Sequence, residues 1–134
     1  MVARKEDRKR VLVVEDNEEQ LEVLRLLLTS AGFEVSTETN ADRVFAAVST
    51  LRPALVVLDV MLPGSKGLDG LRLCQMIRDD PALCGTKVII VSAIAHGAAD
   101  LREDIRREVD ADDYIVKPYD PARLLQRVTE ILGS

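Results

Sequence analysis

The sequence predicts an α/β protein of the (βα)5 type, a doubly wound sandwich with a five-stranded parallel sheet between two helical layers. Three observations predict it. Five short apolar runs alternate with stretches whose apolar residues recur every three or four positions. Three of the runs, Val11–Val14, Ala54–Leu58 and Lys87–Val91, are almost continuous in Val, Ile and Leu. That is the composition of parallel strands covered on both faces. Cap and turn residues fall at the boundaries between runs and stretches.

The elements follow in order. Val11–Val14 is the first strand; Asp16 or Asn17 after it can cap a helix, and Glu18 and Glu19 suit that helix's positive end. Leu21, Leu24 and Leu28 give this helix its apolar stripe, and Gly32 ends it. A weaker strand covers Glu34–Thr39, and Val44, Val48 and Leu51 mark the second helix. Pro53 precedes the third strand, Ala54–Leu58, and Leu73, Met76 and Ile77 mark the third helix. Lys87–Val91 is the fourth strand, and Leu101, Ile105 and Val109 mark the fourth helical stretch. Tyr114–Val116 is the fifth strand. Asp120-Pro121 opens the fifth helical stretch, with proline where its missing N–H does no harm, and Leu124, Leu125, Val128, Ile131 and Leu132 form its stripe. Right-handed crossovers connect the parallel strands.

Composition bounds the function. A chain of 134 residues, 47% hydrophobic and 31% charged, holds one domain with a real core. The net charge of −5 argues against nucleic acid as a direct partner. Residues 1–10 carry Arg4, Lys5, Arg8, Lys9 and Arg10 and read as a solvated basic arm ahead of a domain over 11–134. Cys74 and Cys84 lack metal-ligand spacing and His96 stands alone, as in a reducing compartment. No apolar stretch approaches the roughly 18 residues that span a bilayer, and the basic start runs into an apolar run of only strand length, so no signal peptide is expected. The expectation is a cytoplasmic protein with no membrane contact.

In doubly wound sheets, sites form beyond the carboxyl ends of the strands. Glu15 and Asp16 follow the first run, Asp59 the third, Ser92 and Ala93 the fourth, and Lys117-Pro118 the fifth. Each residue has an ordinary reading as a cap, a turn or a solvated charge. Together they bring three carboxylates, a hydroxyl and an ammonium to one edge. Three close carboxylates repel and invite a cation. Hard oxygen ligands favour Mg2+, which binds oxygens at about 2.0–2.1 Å and keeps several waters. Asp59 can then act as a nucleophile forming an acyl phosphate, with Lys117 and Ser92 on the phosphoryl oxygens. Ala93 is small enough to leave the approach open.

The segments VLVVEDNEEQ, LVVLDVMLPG, VIIVSA and DDYIVKPYD resemble, in this order, the receiver domain of bacterial two-component response regulators. The resemblance covers about Val11 to Leu132. It implies a flavodoxin-like sheet of order 2-1-3-4-5. It also implies that Asp59 accepts a phosphoryl group from a phosphohistidine of a sensor histidine kinase or a histidine phosphotransfer protein. Asp16, Asp59 and the Met61 carbonyl would ligate Mg2+, with Glu15 acting through a water. Ser92 would be the switch hydroxyl and Tyr114 the switch aromatic. A cis Lys117–Pro118 bond is implied as well. Phosphorylation would reshape the face built by the fourth helical stretch, the fifth strand and the fifth helical stretch, with a phosphorylation-dependent homodimer as one outcome. Such a domain is a signalling module that catalyses only its own phosphorylation and dephosphorylation. It either stands alone or is excised from a larger regulator.

Two loops depart from the family pattern. Ser65-Lys66-Gly67 are inserted before Leu68-Asp69-Gly70, and Ile94–Asp100, which contains His96, is long and rich in small residues. Asp110 stands where the family commonly has glycine. A flavodoxin-type cofactor binder would need a phosphate cradle where this chain has Glu15-Asp16-Asn17-Glu18-Glu19. An aspartate-nucleophile phosphatase would need an acid where Met61 stands. The alternative within the family is a degenerate receiver acting only as a protein-interaction module, which would lack the acceptor, an acid or the lysine.

Overall fold

The computed structural model describes residues 8–60, 70–93 and 111–133. Within them the strands are β1 (Arg10–Val14), β2 (Glu34–Glu38), β3 (Leu55–Asp59), β4 (Lys87–Ala93) and β5 (Asp113–Lys117). The helices are α1 (Glu18–Ser30), α2 (Ala41–Leu51), α3 (Gly70–Asp79) and α4 (Pro121–Leu132), the last being the fifth helical stretch of the sequence. The stretch marked by Leu101, Ile105 and Val109 lies outside the described residues. So do residues 1–7 of the basic arm, Met61, the Ser65–Gly67 insertion, the segment Ile94–Asp100 with His96, and Asp110.

All strand pairs are parallel, in the order β2-β1-β3-β4-β5. The strand period of two sorts the apolar residues to opposite faces. Leu12, Val14, Val56, Leu58, Val88 and Ile90 meet α2 and α3 through Val44, Val48, Leu73, Cys74 and Ile77. Val11, Val13, Leu55, Val57, Ile89, Val91 and Ile115 meet α1 and α4 through Leu24, Leu28, Leu124 and Val128. Both faces are therefore dry, which is why the central strands carry continuous apolar runs rather than alternating ones.

The helix boundaries follow capping chemistry. Asn17, not Asp16, caps α1, its side chain accepting from the Gln20 N–H. The helix closes at Ala31, and Gly32 follows at a φ of 100°, a conformation that suits a residue without Cβ. Asp120 caps α4 with Pro121 in its first turn.

The strands extend further than their apolar runs. β1 starts at Arg10, whose guanidinium pairs with Glu34 at 3.2 Å. β3 and β5 take in Asp59 and Lys117, and β4 takes in Ser92 and Ala93. Ser92 is thus inside a strand rather than after one. Ladder pairing, Asp59↔Val91, Ser92↔Val116 and Ala93↔Lys117, continues past the point where hydrophobicity stops.

At the opposite edge, Arg78 ties α3 to the start of β4. It donates to the Cys84 and Thr86 carbonyls and, at 2.8 Å, to Asp112. Asp112 in turn accepts from the Val88 N–H at 2.8 Å. The sheet is thereby clamped at its amino edge. Both cysteines are free, Cys74 in the core and Cys84 exposed. No described helix is long and apolar enough to cross a membrane.

Candidate functional site

Three polar residues continue the face that α1 and α4 cover. Glu15 lies two positions beyond Val13, Asp59 two beyond Val57, and Lys117 two beyond Ile115. The period of two therefore aims all three to the same side, just past the apolar cover. The central strands β1 and β3 are neighbours, and β5 lies one strand beyond β4. Lys117 is long enough to reach back across that gap.

The Lys117 ammonium donates to Asp59 Oδ2 at 2.6 Å and to Glu15 Oε2 and Oε1 at 2.9 and 3.2 Å. Glu15 and Asp59 are each only 3% exposed, and Lys117 22%. Burial pulls the Lys117 ammonium down, but its bonds to Asp59 and Glu15 outweigh that and leave its pKa raised. Burial pushes the Glu15 carboxyl up, against Lys117 and with the help of Asp59, and its pKa ends above 4.5. Tyr119 is pushed up to about 12, by burial first and then by the Glu15 charge, so its phenol is neutral at physiological pH.

Glu15, Asp16 and Asp59 each present an oxygen within 4.8 Å of the others. Around a hard cation at about 2.1 Å, adjacent oxygens are roughly 3 Å apart and opposite ones roughly 4 Å, so binding such an ion would draw these three closer together. Asp16 is the exposed member and faces solvent, where a partly hydrated ion would keep its waters.

The pH dependence follows from Glu15. Between 4.5 and its raised folded value, the folded chain holds a proton that the unfolded chain has released. Stability without divalent cations therefore falls as pH rises through that window. Glu15→Gln removes the loss. In chelator-treated buffer its Tm should fall less than that of the wild type as pH rises through that window. The two curves should converge as pH falls below 4.5, which thermal melts across that range will check.

Ser92 is half-buried on β4, two positions beyond Ile90. Ile90 pairs with Tyr114, and Ser92 with Val116, so Ser92 and Tyr114 share one sheet face. Tyr114 is half-buried and packs on the α2–α3 side of the core. The structure thus brings Glu15, Asp16, Asp59 and Lys117 together and sets Ser92 and Tyr114 along the neighbouring strands. The Met61 carbonyl lies outside the described residues. The Lys117–Pro118 bond is cis.

Two contributors carry no signature in the strand-end pattern. Gly70 opens α3 directly against the backbone of Asp59: a Cβ there would press into the Asp59 carbonyl oxygen, with Asp59 C and Val60 Cα both at 2.9 Å. Its N–H donates to the Val60 carbonyl at 3.2 Å. Tyr119 walls a groove with Glu19, Gln20, Val23, Leu24 and Pro121 beside the acids. An aromatic directly after Lys117-Pro118 was the available signal.

Buried acids bridged by a lysine at the carboxyl edge of a parallel sheet make an α/β domain whose acid cluster could hold a metal ion, and comparison with known proteins gives its family. Residues 11–129 match the profile of the response regulator receiver domain. The DNA-binding response regulator MtrA of Mycolicibacterium paratuberculosis is 36% identical over 121 residues, 90% of this chain and 50% of MtrA. This chain spans about half the length of the MtrA proteins it matches. A response regulator structure from Chloroflexus aurantiacus superposes with a TM-score of 0.81 at 29% identity, covering 96% of this chain and all (100%) of that one. The BeF3-activated N-terminal receiver domain of Klebsiella pneumoniae RstA gives 0.78 at 28% identity, covering 94% and 100%. The chain belongs to the receiver domain family of two-component response regulators, which are signalling domains.

Proposed function

We propose that this chain accepts a phosphoryl group on Asp59 from a phosphohistidine of a sensor histidine kinase or phosphotransfer protein, and that Mg2+ is required. The observation that carries this reading is the Lys117 ammonium bridging Asp59 and Glu15, with the Asp16 carboxylate alongside. Asp59 attacks phosphorus, the P–N bond to the donor histidine breaks, and a P–O bond to the Asp59 carboxylate forms. The electron pair of the broken bond stays on the departing imidazole.

Asp16, Asp59 and the Met61 carbonyl would hold Mg2+, with Glu15 acting through a water. Bound there, the ion would neutralise the acids and offer a position to a phosphoryl oxygen. Lys117 and Ser92 contact the other phosphoryl oxygens. The acyl phosphate carries about −1.5 to −2 where the Asp59 carboxylate carried one negative charge, so the site gains about one negative charge at most, together with the phosphoryl oxygens. Ser92 is drawn toward it, and Tyr114, on the same face of the sheet, moves into the vacated space. The surface around β5 and α4 then changes, a two-state equilibrium biased by local charge. A phosphorylation-dependent homodimer, or a larger regulator's output domain, would read that surface. A cytoplasmic location would suit such a partner set.

The test is intact-mass spectrometry after incubation with a small acyl phosphate. The wild type with Mg2+ should gain one phosphoryl group, and Asp59→Asn or chelator should prevent it. A folded wild type that gains nothing and also fails to bind trifluoroberyllate would leave only the contact-module alternative.

A further inference from the structure

We infer that Asn17 is a positioning residue for the acid site: its side chain fixes the start of α1 in the geometry that holds the Glu15 carboxylate and the intervening Asp16 in place for a divalent cation. The inference rests on the metal reading above and adds a residue to it.

Three bonds meet at Asn17. Its side-chain oxygen accepts from the Gln20 N–H at 3.0 Å, and its carbonyl accepts from the Leu21 N–H at 2.9 Å. These hold Asn17 in the extended cap conformation, φ −81° and ψ 111°. In that conformation its own N–H points back and donates to Glu15 Oε1 at 3.1 Å. The same oxygen is 3.2 Å from Lys117 Nζ, so one end of the Glu15 carboxylate is held from both sides. The main chain of Glu15 is fixed independently, its N–H donating to the Glu38 carbonyl at 3.2 Å. What remains adjustable is the link from Glu15 to α1, and Asp16 is the single residue in that link.

The cap oxygen is therefore the lock. Without it, the first turn of α1 frays, the Asn17 N–H leaves Glu15, and Asp16 loses its fixed place. A cation that needs both acids must then order the turn as it binds, and its affinity falls.

A built-in control separates this from plain helix capping. Asn40 also caps a helix, α2, accepting from the Asp42 N–H at 2.8 Å, but its own N–H donates to the Glu38 carboxylate at 3.1 Å rather than to one of the clustered acids. Mg2+ titration by calorimetry on the whole chain, with thermal melts in chelator, reads both effects. Asn17→Ala should bind Mg2+ about fivefold more weakly, the factor set by one lost cap. Asn17→Ser keeps a cap oxygen and should bind as the wild type does. Asn17→Gly lacks the oxygen but costs the helix end much less than alanine does, so its affinity should fall between those of Asn17→Ser and Asn17→Ala. Asn40→Ala should lose thermal stability yet keep wild-type affinity.

Unchanged affinity in Asn17→Gly and Asn17→Ala would overturn the inference, as would an equal loss in Asn40→Ala. Absence of Mg2+ binding by the wild type would instead overturn the metal reading and this inference with it.

Discussion

Lys117→Met should slow phosphorylation by about two to three orders of magnitude, the size seen when one preorganised donor to a developing oxyanion is removed. Methionine keeps most of the length and the apolar character of the lysine stem, so packing is largely preserved and the main loss is one of charge. In the wild type the ammonium sits 2.6 Å from Asp59 and 2.9 Å from Glu15, both 3% exposed. Its removal leaves two buried carboxylates facing each other. The metal-free variant should therefore melt below the wild type at neutral pH, and Mg2+ should raise its Tm by more. Single-turnover rates with a small acyl phosphate, followed by intact mass, check the first expectation. Rates within about tenfold of the wild type would mean that Lys117 is an ion-pair partner and not part of the transfer chemistry.

Gly70→Ala should both destabilise the domain, by about 2–3 kcal/mol, and impair Asp59. The atoms that an added Cβ would meet are all backbone: the Asp59 carbonyl oxygen and carbon, and Val60 Cα. Backbone cannot yield as a flexible side-chain end does, so either α3 retreats or the end of β3 moves. Retreat loosens Leu73, Cys74 and Ile77, which are fully buried on one face of the sheet. Movement of β3 shifts the acceptor itself. Urea unfolding and phosphorylation rate, measured together, distinguish the two. A variant with wild-type stability and rate would show that the close approach is not maintained in solution.

Much of this architecture was legible because it rests on periodicities. The continuous runs at Val11–Val14 and Ala54–Leu58 announced strands covered on both sides, and the two core layers sort their residues alternately. The same alternation carries on from Val13 to Glu15, from Val57 to Asp59 and from Ile115 to Lys117, which is why residues distant in sequence reach one point. Strand ends were less legible. Hydrophobicity stops near Val91, but hydrogen-bonded pairing continues through Ser92 and Ala93. Asn17 against Asp16 as the cap was undecidable from residue type, since both side chains accept from a helix N–H. Gly70 was silent for another reason, and Tyr119 showed only as an aromatic after Lys117-Pro118. Their importance lies in which main chain or groove they touch, and no spacing rule encodes a contact between α3 and the end of β3.

The most direct test of the central claim locates the phosphoryl group. After reaction with an acyl phosphate and Mg2+, borohydride reduction converts an aspartyl phosphate to homoserine, and peptide sequencing by mass spectrometry finds it. Homoserine is expected at position 59 and at no other aspartate. Homoserine at Asp16 or elsewhere, with Asp59 intact, would contradict it.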